Sequence, residues 1–109
     1  MVWRIDLSEE AAKELQAMPA DIIARFLRVA ELLSACGPQQ VGMPHVRHLE
    51  GKLWEMRLTG RDGIARAVYV ARSGQRLTVL HIFVKQTQKT PRQALATARQ
   101  RLRSLIDDD

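Results

Sequence analysis

A chain of 109 residues, 46% of them hydrophobic, is long enough to bury its own core and too apolar for a disordered segment. No apolar run reaches the length of a membrane span, and the single cysteine, Cys36, excludes an internal disulfide. The net charge of +5 is unevenly laid out: residues 1–40 hold four Lys/Arg against six Asp/Glu, and residues 41–103 hold thirteen against three. A basic second half points to nucleic acid or another polyanion; the plainer alternative is a basic surface kept for solubility. The N-terminal stretch lacks the basic and apolar segments of a secretion signal, so a cytoplasmic location is expected.

In chain order, Val2 to Leu7 alternates as a short strand does. Ser8 is a good N-cap for a helix reaching about Ala17, with Glu9 and Glu10 well placed in its first turn. Pro19 opens a second helix, in which Ile22, Ile23, Phe26, Leu27, Val29, Ala30 and Leu33 recur at helical spacing. Cys36 near its end is expected to be a small core residue, and Gly37-Pro38 stops the helix. Residues 38–52 form a polar connection, with a short extended piece around Val46 to Leu49. Three strands follow, Leu53–Thr59, Ile64–Ala71 and Arg76–Val84, joined by turns at Gly60-Arg61-Asp62-Gly63 and Ser73-Gly74. Thr90-Pro91-Arg92-Gln93 is a capping box that starts a last helix, running to about Ile106. The fold class is α+β: one domain over 1–109, ordered β-α-α-β-β-β-α, whose mostly antiparallel sheet is packed on one face by a helical hairpin.

Register decides which side chains meet. A two-residue turn at Arg61-Asp62 sets Arg57 opposite Arg66, and one at Ser73-Gly74 sets Arg66 opposite His81. One face then carries Glu55, Arg57, Arg66, His81 and Lys85 among Val68, Val79 and Phe83. The other, covered by the first two helices, carries Trp54, Met56, Leu58, Ala65, Ala67, Tyr69, Leu80, Ile82 and Val84. Two arginines directly opposed cost on the order of several tenths of a kcal/mol, a penalty that makes sense if an anion sits between them.

RNA carries its own nucleophile, the 2′-hydroxyl beside the scissile phosphate. Cleavage needs a base for its proton, cations for the charge growing on phosphorus, and an acid for the leaving 5′-oxygen. No metal or cofactor is required in principle. Arg57 and Arg66 suit bidentate phosphate binding. His81 beside a cation is expected to stay neutral near pH 7 and serve as base. Lys85 and Lys89 can hold flanking phosphates or assist the leaving group, and Lys52, Thr87 and Gln88 add donors for RNA. Each has a plainer reading. His81 is also explained as a satisfied structural histidine, Arg66 as the partner of Glu55, and the stretch around Thr87-Gln88 as turn and cap. His45 and His48 are a weak metal signal, and Arg99, Arg101 and Arg103 read as a solvated helix surface.

"HLEGKLWEMRLTGRDGIARAVYV" (48–70) followed by "HIFVKQTQKTP" (81–91) resembles the phage-derived Gp49-like, HigB-type branch of the RelE/ParE toxin superfamily. The resemblance covers nearly the whole chain. It implies a type II toxin with an antitoxin partner, in this branch usually a helix-turn-helix DNA-binding protein through which alone the operator is reached. It also implies ribosome-dependent mRNA cleavage leaving a cyclic phosphate and a free 5′-hydroxyl. By position in the motifs, Arg57, Arg66 and Lys85 match the basic residues that RelE-like toxins use on RNA, and Lys89 matches less closely. Many relatives also carry a base-stacking aromatic near the C-terminal end, and none is evident here. The other readings of such a scaffold are a ParE-like inhibitor that binds DNA gyrase without cutting RNA, or a decayed toxin that only binds its antitoxin.

Overall fold

Ser8 begins the first helix as its type suggests: Oγ accepts from the Ala11 amide at 3.1 Å, and Glu9 and Glu10 occupy the first turn. The computed structural model describes residues 2–38, 41–42, 45–85 and 90–108, with 85 and 106–108 by their backbone alone. The elements are β1 (Arg4–Leu7), α1 (Glu9–Gln16), α2 (Ala20–Cys36), β2 (Val46–Glu50), β3 (Leu53–Thr59), β4 (Ile64–Arg72), β5 (Arg76–Lys85) and α3 (Arg92–Asp108). The extended piece expected near Val46 is a true strand, so the sheet has five members in the order β1-β5-β4-β3-β2. All pairings are antiparallel except β1 with β5, which the crossover through α1 and α2 makes parallel.

The helical hairpin α1–α2 covers one face. Its Ala11, Ile22, Phe26, Val29 and Leu33 pack with Met56, Leu58, Ala67, Tyr69, Leu77, Val79 and Ile82. The third helix lies on the other face, where Ala98, Leu95 and Leu102 meet Leu53, Val68, Val70, Leu80 and Phe83. Helices therefore bury both faces of β4 and β5, and six consecutive β4 residues, Ala65 to Val70, are buried.

The first hairpin turns at Arg61-Asp62, as the spacing predicts, and Arg57 stands opposite Arg66. The second hairpin differs in two ways. Its loop has three residues, Ser73-Gly74-Gln75, with Gly74 and Gln75 both at positive φ. Further along, Val68 opposes His81 while Tyr69 opposes Val79, so Leu80 is an extra residue, a β-bulge. Leu80 lies on the α3 face and Val79 on the hairpin face, the reverse of the expected sides, and the bulge returns Ile82 to the hairpin face. The longer loop and the bulge, one residue each, together put Phe83 rather than His81 opposite Arg66.

Two smaller expectations also change. Cys36 is exposed at the end of α2 rather than buried. The expected capping box is not formed: among the described residues no α3 amide donates to Thr90 Oγ1, whose hydroxyl instead donates to Glu55 Oε2 at 2.8 Å, and α3 starts at Arg92 with the Leu95 amide donating to the Pro91 carbonyl.

Gly37 closes α2 at φ 83° and ψ 158°, a region essentially restricted to glycine, and a Cβ there would stand 3.1 Å from Trp3 Nε1. Gly37→Ala is expected to cost roughly 1–3 kcal/mol, read as a lower urea midpoint at unchanged slope.

Candidate nucleic-acid interface

Arg57 and Arg66 meet across β3 and β4 with a carboxylate one row away. Glu55 is 1% exposed and Arg66 5% exposed, and Arg66 Nη1 donates to Glu55 Oε1. Arg47, directly opposite Glu55 on β2, places Nε 3.2 Å from the same oxygen, and Thr90 takes the other one. Two guanidiniums, those of Arg47 and Arg66, thus meet one carboxylate, and Arg57 stands opposite Arg66 in the next row. Burial pushes the Arg66 guanidinium below its ordinary pKa; Glu55 counters this, and Arg57 and Arg47 add to it. Among the described residues Arg66 Nε has no hydrogen-bond partner. Arg57 is the partly exposed member of the opposed pair.

His81 is placed by a different network. Leu80 bulges where β1 has ended, and side chains take up the backbone of β5 there. Arg101 Nη1 donates to the Leu80 carbonyl at 2.8 Å, and the Ile82 amide donates to Glu14 Oε1 at 2.9 Å. Glu14 also holds His81 Nδ1 at 3.0 Å and accepts from Arg101 at 3.0 and 3.2 Å. Phe83 stacks on the imidazole with centroids 5.0 Å apart. Burial raises the Glu14 carboxyl, but the hydrogen bonds from Arg101, the Ile82 amide and His81 outweigh it and hold the group below its ordinary value of 4.5. Arg101, expected on a solvated surface, is instead a tie between α3, α1 and β5.

The other expected residues are dispersed. The Lys85 backbone pairs with Ile64, two residues along from the Arg66–Phe83 pair. Lys52 is exposed in the β2–β3 turn, about 16 Å along the strand from Arg57 at a rise of about 3.3 Å per residue. Thr87, Gln88 and Lys89 lie outside the described residues. Glu14 carries no sequence signal, since its partners lie 67 and 87 positions away. Arg47 was legible only once β2 was paired with β3.

The sequence model of phage derived protein Gp49-like (DUF891) matches residues 13–103. The chain belongs to the Gp49-like family. No curated protein matches it. Among solved structures it is similar to the archaeal RelE–RelB complex from Pyrococcus horikoshii OT3, with 24% identity, a TM-score of 0.62, and coverage of 77% of this chain and 96% of that one. It is likewise similar to the toxin–antitoxin complex RelBE2 from Mycobacterium tuberculosis (16%, TM-score 0.58, 78% and 100% covered). A double arginine-to-alanine mutant of the E. coli toxin RelE in the free state covers more of the chain (15%, TM-score 0.62, 94% and 99% covered). This Gp49-like protein therefore has the RelE fold. No helix among its described residues is long and apolar enough to cross a membrane.

Two outcomes test the electrostatics of this Gp49-like site. Arg66→Ala leaves Glu55 buried without its closest cation and is expected to cost about 3 kcal/mol in chemical denaturation, while Glu55→Leu/Arg66→Met, which removes both charges, loses much less. The depressed Glu14 carboxyl contributes stability above the ordinary carboxylate pKa and loses it as pH falls through the folded value. The stability gap between the parent and Glu14→Gln should therefore be wider at about pH 7 than at about pH 3, measured by urea midpoints.

Proposed function

We propose that this chain is the toxin of a type II toxin–antitoxin system and cleaves mRNA on the ribosome, without a metal or cofactor. The observation that carries the reading is the opposed pair Arg57 and Arg66 on a RelE fold, within a cluster of three guanidiniums and one carboxylate. That excess of positive charge favours a phosphate at the partly exposed Arg57. In this reading the RNA 2′-hydroxyl attacks the adjacent phosphorus, the 5′-oxygen leaves, and a cyclic phosphate remains. Arg57 grips the phosphate and stabilises its developing charge, and Arg66 supports Arg57 from beneath. Lys85 and Lys89 serve the leaving group, and Lys52, Thr87 and Gln88 hold flanking RNA. His81 is the base: Nδ1 is engaged by Glu14, which leaves Nε2 to take the proton.

The partner in this reading is a cognate antitoxin of the helix-turn-helix class, as in HigB-type pairs, and the toxin works in the cytoplasm. Two of the similar structures are toxin–antitoxin complexes, which supports an antitoxin for this chain as well. One observation favours the alternative of a non-nucleolytic, ParE-like binder: the burial of Arg66 against Glu55 leaves it less available to RNA than an exposed arginine.

Because Arg66 also holds the fold together, Arg57→Ala and Lys85→Ala are the cleaner variants. Induced expression of the parent should arrest growth and create new in-frame mRNA 5′-hydroxyl ends within minutes. Either variant should fold and cut about 10²–10³-fold less. Arrest with intact mRNA would replace this reading with the gyrase-type one, and no arrest would leave an antitoxin-binding protein.

A further inference from the structure

Away from the Arg57–Arg66 pair, the β3–β4 turn and α2 enclose an open groove of about 660 Å³. Arg25 and Arg28, one turn apart on α2, line it from one side, and Arg61 and His45 from the other. All three arginines are exposed. Arg25 and Arg28 have no carboxylate partner among the described residues, whereas Arg47, Arg66, Arg99 and Arg101 each do.

The groove is preformed. Gly60 packs so closely on α2 that a Cβ there would fall 2.5 Å from Ile22 Cδ1 and 2.9 Å from Asp21 Oδ2. The Arg61 amide donates to Asp21 Oδ2 at 2.5 Å, and the Ile22 amide donates to Oδ1 at 3.0 Å. The one acid lining the groove among the described residues is thus already engaged by two backbone amides, the Arg61 amide first among the causes that keep its carboxyl below the usual range. Its side chain forms the joint between the two walls.

We infer that this groove is a second RNA site, which holds the phosphate backbone of a strand segment that is not the one being cut. Guanidinium forks on both walls match phosphate oxygens, and the groove is open to solvent. A protein segment fits less well. Among the described residues the apolar lining amounts to Ala24 and Leu32, with no aromatic anchor of the kind that a peptide interface is built around. The inference extends the RNA reading above, and it is measured by binding rather than by cleavage, so either can fail without the other.

The test uses the full chain and a fluorescent oligonucleotide of about twenty nucleotides carrying 2′-O-methyl sugars, which keeps every phosphate and removes the attacking hydroxyl. Arg25→Ala/Arg28→Ala, and separately Arg61→Ala in case the double variant fails to fold, are titrated at several salt concentrations. The double variant should weaken binding roughly fivefold to tenfold and make the slope of log K against log salt shallower by about 1.4, the value for two lost single-strand phosphate contacts. Cleavage-defective Arg57→Ala should keep the groove's share of the salt dependence. Unchanged affinity and slope in folded groove variants would overturn the inference. So would unchanged RNA binding with loss of a co-expressed antitoxin, because the groove would then belong to a protein partner.

Discussion

One extra residue in β5 fixes what the two faces of the sheet can be. Strict alternation from Leu77 would turn Leu80 and Ile82 in opposite register to Leu77 and Val79, and the strand could not serve one helical layer along its length. The bulge at Leu80 resets the phase, so Leu77, Val79 and Ile82 all pack with α1 and α2 while Leu80 and Phe83 pack with α3. It also leaves β5 backbone groups beyond the end of β1 in need of partners. Arg101 from α3 and Ser8 from the cap of α1 take the Leu80 carbonyl, and Glu14 takes the Ile82 amide. The ties among α1, α3 and the sheet edge thus follow from a single inserted residue.

Two carboxylates organise the polar side of this arrangement, and they do different work. Glu55 is almost fully buried and binds β2, β3, β4 and the approach to α3 through Arg47, Arg66 and Thr90. A buried charge of this kind is expensive to strip of its partners, though removing the whole set costs far less, so it specifies pairing more than it adds stability. Glu14 is only partly buried, and it fixes the imidazole of His81 from the opposite helical layer. The positive cluster around Arg57 and the orientation of His81 therefore depend on separate networks. Arg57 takes its surroundings from the β2–β3–β4 pairing, and His81 takes its own from the bulge.

Much of this was legible in the chain. The helix boundaries followed from Ser8, Pro19 and Gly37, and the opposition of Arg57 to Arg66 followed from a turn whose glycines flank Arg61-Asp62. The bulge was not legible. Val79-Leu80-His81-Ile82-Phe83 is apolar at four of five positions, so either phase satisfies the hydrophobic pattern, and only packing on both faces selects one. The same ambiguity hid the position of α3: its Leu95, Ala98, Leu102 and Leu105 show an apolar stripe, but a stripe does not say which face of a sheet it covers. Cys36 is exposed for a related reason, since the apolar pattern of α2 continues past the last turn that touches the core. Of the opposed pair, the plainer reading of Arg66 as the partner of Glu55 holds as geometry.

Charge counted along the chain and charge presented in space lead to different surfaces. The basic half of the sequence supplies Arg47, Arg66, Arg99 and Arg101, and the fold joins each of them to Glu55, Glu50 or Glu14, one of these from the acidic half. The acidic half supplies Arg25 and Arg28, which have no carboxylate partner among the described residues, on a wall facing Arg61. A polyanion approaching the molecule responds to the summed field and not to the order of residues. Arginines with no carboxylate partner among the described residues stand on α2 as well as at Arg57. One cause is local: Asp21, one turn before Arg25 on α2, is bound to the amides of Ile22 and Arg61, and so fixes the turn against α2 instead of pairing with the arginine beside it.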